Sequence, residues 1–280
     1  MKPLTPRPRF LVVAVAGGAS RHPSWWTPDA GFDLQVLPAV AGFTKWQVLF
    51  EALKDTGRQW AQYRHVFLPD DDLDITPEEI EALFSIAEEE GFALCQPSLG
   101  WRSHFTEAIS LHNPLFRWRS VNAVDFAAPC FEAQALAQAV PLFAQDPTAS
   151  LLGRVIPARL AKAHRVTAVV DAVQVLRTQA HQAEPAPLSE TLAAEAAALE
   201  AGEFNWGGMG TRGQRLSLFS DAREAFLGAL VTGYACAVQE AQVLGEVFLQ
   251  HFMRSLEPPP AAFEPASRPS LRRSPIGLPA

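Results

Sequence analysis

The sequence predicts an α/β protein in which a sheet is covered by helices on both faces. Over residues 1–182, short apolar runs that suit buried strands alternate with amphipathic patterns that suit helices. The chain has 280 residues, of which 48% are hydrophobic and 19% charged, so it can build a full core. A block of carboxylates directly follows one apolar run, and ligands on such sheets bind at the carboxyl ends of strands.

The first part of the chain contains predicted strands and two predicted helices. The strands are short apolar runs bounded by turn residues, at 10–16, 32–36, 63–68 and 92–97. A helix is expected over 44–54, because its apolar residues repeat at helical spacing. A second helix is expected over 77–90, where Thr76 and Glu79 form a capping box and Gly91 ends the helix.

The chain from residue 98 onward is predicted in less detail. Residues 98–122 mix aromatic and polar side chains, which suits a hairpin or loop over a polar ligand, although such aromatics also cover cores. A strand that carries Asp125 is expected over 124–131. The other predicted elements are helices at 132–143 and 157–163, a final strand at 165–176, a helix at 188–203, a glycine loop at 204–210 and a long helix at 220–257.

The chain is expected to contain one α/β domain followed by two smaller parts. Residues 1–182 form the predicted domain, 183–257 a helical extension and 258–280 a disordered tail with little that can be buried. The last predicted helix has an apolar stretch of ~14 residues, short of the ~20 that span a bilayer. We therefore expect that helix to pack against the core or to join two copies in a homo-oligomer.

Charge and cysteine content exclude several classes of function. The net charge of −7 argues against a sequence-independent grip on nucleic acid, which needs Lys and Arg on phosphates. The cysteines, at 95, 130 and 236, fit neither a zinc site nor a disulfide framework, which favours a reducing cytoplasm. The first apolar run is too short to span a membrane and lacks a secretory cleavage pattern, so we expect a cytoplasmic protein without a transmembrane segment.

The acid block after the third predicted strand is the most informative local feature. Asp70, Asp71 and Asp72 are adjacent, and three neighbouring carboxylates repel one another. A hard cation such as Mg²⁺ or Mn²⁺, itself holding phosphate oxygens, makes such a cluster favourable. The alternative is an ordinary strand-to-helix loop whose acids lie near the positive end of the following helix. The local pattern leaves both interpretations open.

Five segments taken together resemble a known family. They are TKWQVLFEALK at 44–54, YRHVFLPDDDLDITPEEIEALFSIAEEEGFALCQPSL at 63–99, HFTEAISLHNP at 104–114, VDFAAPCF at 124–131 and VTAVVDAVQVLRTQ at 166–179. In this order they are similar to a largely uncharacterised family of glycosyltransferase-like proteins of plants and bacteria. The acid block with the following Gln96–Pro97 is the most specific part of the match.

This resemblance implies a fold, a donor and roles for individual residues. The family looks like the GT-A class, a Rossmann-like sheet on which aspartates hold a divalent ion against a nucleotide-diphosphate sugar. Asp70 and Asp72 fall on the two metal-binding aspartates, and Asp71 between them lies on the sugar side. Lys45 and Trp46 match a Lys-Trp pair assigned to donor binding, although the lysine side chain can equally lie over the indole.

The resemblance also implies a catalytic carboxylate and shows two departures. Asp125 falls where relatives carry a glutamate and is the predicted catalytic residue, with a hydrogen-bonded structural acid as the alternative. Residues 148–157 lack the aspartate that is the natural general base of relatives. The last predicted strand ends in Arg177 where a histidine ligand is expected. Either this arginine pairs with the acid block and takes over part of the metal's charge, which leaves metal-independent or weakened donor binding, or the site has decayed.

Two functions follow as alternatives. The chain is expected to transfer a sugar from a nucleotide-diphosphate sugar to a glycan or small-molecule acceptor, with Mn²⁺ or Mg²⁺ or independently of metal. Alternatively, the site is degenerate, and the protein binds a glycan, a nucleotide or another protein without catalysis. Whether the chain is an enzyme therefore stays open at the level of sequence, since fold alone does not decide function.

Overall fold

The computed structural model describes residues 9–17, 24–25, 27–54, 59–100, 102–113, 116–178, 188–201 and 209–215. The strands are β1 (Phe10–Ala16), β2 (Phe32–Pro38), β3 (His65–Phe67), β4 (Leu73–Asp74), β5 (Leu94–Leu99), β6 (Phe116–Val121), β7 (Cys130–Glu132), β8 (Thr167–Arg177) and β9 (Met209–Arg215). The α-helices are α1 (Lys45–Lys54), α2 (Pro77–Glu90), α3 (Ala133–Phe143), α4 (Leu152–Lys162) and α5 (Glu190–Ala201).

The strands form one mixed sheet in the order β2-β1-β3-β7-β5-β8-β6-β9, and β4 pairs with β8. β1 runs parallel to both β2 and β3, and β5 runs parallel to β8. β7 lies between β3 and β5 and is antiparallel to both. Consequently β1, β2, β3, β5 and β8 all point the same way, and their carboxyl ends meet at one edge of the sheet. We call this edge the carboxyl edge.

Helices cover the sheet on both faces, as predicted. The side chains of β1 alternate, so that Leu11 and Val13 pack with α1, α3, α4 and α5 on one face. Val12 and Ala14 pack with α2 on the other face. This alternation is the two-residue period of a strand that is buried on both sides. The mixed α/β fold predicted from the sequence is therefore confirmed.

Several predicted boundaries are confirmed by the structure. β1 covers the predicted residues, and α2 begins and ends where its caps place it. Thr76 accepts a hydrogen bond from the Glu79 backbone N–H, the Glu79 carboxylate accepts one from Thr76 N, and Gly91 ends the helix in the left-handed conformation at φ 68°. Each of these signals depends only on residues next to its own end of the helix, which explains why sequence alone locates them.

Other predictions are wrong in detail. Residues 124–129 form a loop, and only the last part of the predicted strand, β7, pairs in the sheet. α4 begins five residues before the predicted Pro157 and contains that proline in its interior. The segment predicted as a hairpin or loop contains the strand β6, which pairs with β8 and β9 and not with a strand of the same segment.

The sheet also continues beyond the strand that was predicted to be the last. β9 occupies positions that include the end of the predicted glycine loop, and it pairs antiparallel with β6. The helix expected over 188–203 is confirmed as α5. The predicted helix at 220–257, the tail at 258–280 and the homo-oligomer contact lie outside the described residues. Within the described ranges, each helix is too short or too polar to traverse a bilayer.

Candidate functional site

The acid block lies at the carboxyl edge, together with the ends of β1, β3 and β8. Asp70 follows β3, Gly17 follows β1, and Arg177 is the last residue of β8. The loop before β7 reaches the same edge, because β7 is antiparallel to its neighbours and starts there. This loop accepts backbone hydrogen bonds from Leu68 and Asp70, through Pro129 O at 2.9 Å and Ala127 O at 2.6 Å. The fold thus brings together residues far apart in the chain.

Lys45 is held at this edge by the start of α1. Thr44 and Gln47 cap the helix reciprocally: the Thr44 N–H donates to Gln47 Oε1 at 2.8 Å, and the Gln47 N–H donates to Thr44 Oγ1 at 3.3 Å. Lys45 Nζ donates to Asp70 Oδ1 and to Leu68 O, both at 2.7 Å. A cation is disfavoured at a helix N-terminus, so these two acceptors explain why a lysine is tolerated there.

The charge state of Lys45 reflects two opposing influences. Burial lowers the pKa of the ammonium below its ordinary value, and the negative charge and hydrogen bond of Asp70 oppose that shift. The two side chains form a salt bridge with side-chain exposures of 16% and 18%. The pair is therefore partly shielded but still reachable from solvent.

Arg177 holds the other oxygen of the same carboxylate. Its Nη2 donates to Asp70 Oδ2 at 2.9 Å, and its Nη1 lies 3.6 Å from Asp125 Oδ1. The Arg177 side chain is only 6% exposed. The predicted pairing of Arg177 with the acid block is thus confirmed for Asp70, which sits between two cations.

Asp125 is buried and hydrogen-bonded on both oxygens. Oδ2 accepts from Thr106 N at 2.7 Å and from Thr106 Oγ1 at 2.9 Å, while Oδ1 accepts from Ala127 N at 3.0 Å. Its backbone N–H donates to Gln96 Oε1 at 2.5 Å. These contacts match the alternative of a hydrogen-bonded structural acid, and the ion-pair distance of 3.6 Å places this acid beside Arg177. The predicted catalytic role is not tested by them and stays a prediction.

The two other aspartates of the block face different partners. Asp71 Oδ2 accepts a hydrogen bond from Gly17 N at 2.7 Å, and a Cβ on Gly17 would lie 2.7 Å from that oxygen. Only glycine therefore fits there without displacing the carboxylate. Asp72 is 7% exposed, and its backbone oxygen accepts from Thr178 Oγ1 at 2.9 Å. Asp70 thus contacts residues of α1 and β8, whereas Asp71 contacts the residue that follows β1.

The residues at this edge fit a divalent cation poorly. Within the described parts of the chain, no group of three His, Cys, Asp or Glu side chains is arranged to share a metal ion. Both oxygens of Asp70, a predicted ligand, are already engaged by Lys45 and Arg177. Hard cations prefer several oxygen ligands, whereas here two positive side chains lie where such an ion would bind. The predicted Mn²⁺ or Mg²⁺ stays a prediction with little support from this donor set.

Trp46 lies in the core beneath the site. Its ring packs against Phe126 and Phe143, with centroid separations of 4.9 and 4.8 Å. Lys45 Nζ lies 4.7 Å from the centroid of the same indole. The structure thus shows the arrangement with lysine over tryptophan that sequence left open, and Trp46 supports Lys45 from below. Its predicted contact with a donor stays a prediction.

Sequence reasoning missed the side chains that hold Asp125 in place. Thr106 comes from the loop after β5, and Gln96 from within β5. Ser110 Oγ also accepts from the Asp125 N–H, at 3.2 Å. Gln96 belongs to the most specific part of the segments that resemble the family, and this was the one sequence feature that could have pointed to its role. Nothing in the local pattern indicated Thr106 or Ser110, because hydroxyl residues in a polar loop are common.

Comparisons with known proteins do not identify a family. No protein-family model matches the chain, and no curated protein matches it significantly in sequence. Among solved structures it is similar to A197 from STIV, at 14% identity and a TM-score of 0.39, covering 64% of this chain and 98% of that chain. A similarity at this level is too weak to assign a family or a function. The α/β assignment therefore rests on the strand order, and the family resemblance stays a prediction.

Proposed function

We propose that the chain binds a nucleoside-diphosphate sugar at the carboxyl edge and transfers the sugar to a glycan or small-molecule acceptor. The observation that carries the proposal is that Lys45 and Arg177 hold the two oxygens of one carboxylate at the ends of parallel strands. Ligands on α/β sheets bind outside such strand ends. Two convergent cations there suit a ligand with two adjacent negative groups.

The residues present can supply the charge stabilisation that a transfer requires. When a sugar leaves a diphosphate, negative charge develops on the departing phosphate oxygens. Arg177 offers a planar fork that matches phosphate, and Lys45 offers a compact point charge. Asp125 and Trp46 keep these two cations in position through the contacts at 3.6 Å and 4.7 Å. A preorganised pair of this kind stabilises the leaving group without reorganisation at the moment of reaction.

A second candidate function is binding without transfer, and one observation favours it. Both oxygens of Asp125 already accept hydrogen bonds, so this carboxylate has little capacity to take a proton from an acceptor hydroxyl. Incubation with nucleotide sugars distinguishes the two functions. Release of the nucleoside diphosphate in the presence of glycan or water acceptors supports the transferase. Tight binding with an unchanged donor supports the binding protein.

Thermal unfolding tests the donor site directly. The full chain is heated with UDP, GDP or ADP, each in Mn²⁺ and in EDTA. A ligand at 100-fold its Kd adds about 2.7 kcal/mol to the free energy of unfolding, so a specific nucleotide raises the Tm measurably. We expect the shift in EDTA as well, its loss in Arg177→Met, and its retention in Arg117→Met, which lies in a surface ion pair with Glu89.

The alternative outcomes of that experiment are equally informative. No shift with any nucleotide contradicts the proposed donor site. A shift that requires Mn²⁺ and disappears in Asp72→Ala supports the metal prediction instead.

A further inference from the structure

We propose that Asp70 is a resident counter-ion of a metal-independent diphosphate site, and that a diphosphate binds Lys45 and Arg177 by displacing the Asp70 carboxylate. The identity of the ligand as a nucleoside diphosphate rests on the proposed function above. The counter-ion role rests on the contacts of Asp70 itself. In the structure its carboxylate bridges the two cations, at 2.7 Å from Lys45 Nζ and 2.9 Å from Arg177 Nη2.

The two cations keep their positions when the carboxylate leaves. Lys45 Nζ also donates to Leu68 O at 2.7 Å and lies over the Trp46 ring. Arg177 has a second carboxylate, Asp125, at 3.6 Å, and its own backbone N–H donates to Ser103 Oγ at 3.1 Å. None of these contacts involves the side chain of Asp70. The cation pair is therefore preorganised independently of Asp70.

Asp70 is the anion that can move. Its side chain is 18% exposed, compared with 2% for Asp125. Asp70 lies in the turn after β3, whereas Asp125 is locked by hydrogen bonds to Thr106 and Ala127. Of the two carboxylates that face Arg177, Asp70 is therefore the one that can turn toward solvent. Withdrawal of Asp70 into solvent frees one N–H donor on Lys45 and one on Arg177.

Arg177 also has a further N–H donor that a ligand could use. Its Nε–H is buried and has no hydrogen-bond partner in the described parts of the chain. A buried donor without a partner is uncommon and commonly marks a missing water or ligand oxygen. A phosphate group offers several oxygens and can satisfy more arginine donors than a single carboxylate does.

The charges at the site predict how a substitution of Asp70 changes the affinity for pyrophosphate. In the structure the charges of Asp70 and Asp125 offset those of Lys45 and Arg177, so a diphosphate that arrives while Asp70 is in place is repelled by its carboxylate. Asp70→Asn removes that charge and leaves both cations in place. We expect inorganic pyrophosphate to bind this variant about tenfold tighter than the wild type. If Asp70 instead held a divalent ion, pyrophosphate binding would require that ion and would be absent in EDTA.

Calorimetric titration of the full chain with inorganic pyrophosphate in EDTA tests the inference. The proteins compared are the wild type, Asp70→Asn, Asp70→Ser and the control Asp74→Asn, which removes the same charge from an exposed residue on β4. Asp70→Ser serves where the asparagine variant does not fold. Tighter binding in an Asp70 variant, with less than a threefold change in the control, supports the inference. Unchanged or weaker binding, or no pyrophosphate binding by any of the proteins, overturns it.

Parallel titrations with UDP, GDP and ADP separate this inference from the proposed function. Tighter pyrophosphate binding in Asp70→Asn without any nucleotide binding upholds the counter-ion and contradicts the nucleotide-sugar function. Nucleotide binding by the wild type that weakens in Asp70→Asn upholds the function and overturns the counter-ion.

Discussion

Arg119 and Asp171 form a bidentate ion pair in the interior, between β6 and β8. Arg119 Nε donates to Asp171 Oδ2 at 2.7 Å, and Nη2 donates to Oδ1 at 3.0 Å. The Asn113 N–H donates to the same carboxylate at 2.8 Å, and Arg119 Nη2 also donates to Leu111 O at 2.8 Å. The pair therefore ties the loop after β5 to two strands, which is a structural role for Asp171.

Removing the charge of Asp171 should destabilise the protein strongly. Asp171→Asn leaves a buried guanidinium without its counter-charge, and breaking a buried pair in this way costs about 3–5 kcal/mol. Urea unfolding measures the loss. The control is Glu89→Gln, which breaks the exposed pair with Arg117 and should lower the free energy of unfolding far less. Equal losses in the two variants would contradict the structural role.

Gly153 is expected to reject alanine although it lies within α4. Alanine raises helix propensity by about 1 kcal/mol, but a Cβ at this position would overlap the carbonyl oxygen of Val124. That oxygen is backbone and cannot rotate away, so we expect Gly153→Ala to lower the free energy of unfolding by about 1–3 kcal/mol. Chemical denaturation measures it. An increase in stability would show that α4 and the loop before β7 are farther apart than described.

His65 should make the protein sensitive to acid. Burial lowers the pKa of its imidazole below the ordinary value, and the hydrogen bond of Nε2 to Phe92 O at 3.2 Å opposes that shift. The unfolded chain thus takes up a proton at higher pH than the folded protein. The free energy of unfolding falls as the pH drops through about 6.5, until the pH lies below the lowered folded pKa.

The substitution His65→Gln tests this pH dependence. The amide can donate to Phe92 O but does not titrate, so the loss of stability between pH 7 and pH 5 should become smaller than in the wild type. Urea midpoints at pH 8, 7, 6 and 5 measure the slope. Parallel curves for the two proteins would assign the acid sensitivity to other groups, among them His112, whose pKa is also lowered by burial.

The Thr106 hydroxyl should help to hold the Asp125 carboxylate in place. Thr106→Val keeps the shape and the backbone donor but removes the 2.9 Å hydrogen bond to Asp125 Oδ2. We expect a loss of about 1 kcal/mol in the free energy of unfolding. If the proposed site is correct, nucleotide or pyrophosphate affinity should fall as well, because Asp125 positions Arg177. A loss of stability with unchanged affinity would confine Asp125 to a purely structural role.

The parts of the fold that sequence predicted are those determined by neighbouring residues. The capping box and Gly91 define α2 almost completely, and the apolar run of β1 identifies a strand buried on both faces. The loop at 124–129 was mistaken for a strand because its apolar residues resemble one. The side chains that hold it there, Gln96 and Thr106, are distant in sequence. Local pattern cannot report such partners.

The same distinction applies to the candidate site. The acid block and its position at a strand end follow from local pattern. The pairing of Arg177 with that block is predicted only through the family resemblance, in which a histidine is expected at this position. The bridge from Lys45 to Asp70 and on to Arg177 spans three elements, so its geometry depends on the sheet order. Three consecutive aspartates likewise give no indication that Asp70 and Asp71 contact different partners.

The pairing of β9 with β6 has a practical consequence for how the chain tolerates shortening. β9 lies after α5 in the sequence, yet it supplies the outer neighbour of β6. A protein cut after residue 182 would leave the main-chain donors and acceptors along that side of β6 open to solvent. Exposed strands of this kind invite pairing with other molecules, so the shortened protein should aggregate more readily than the full chain.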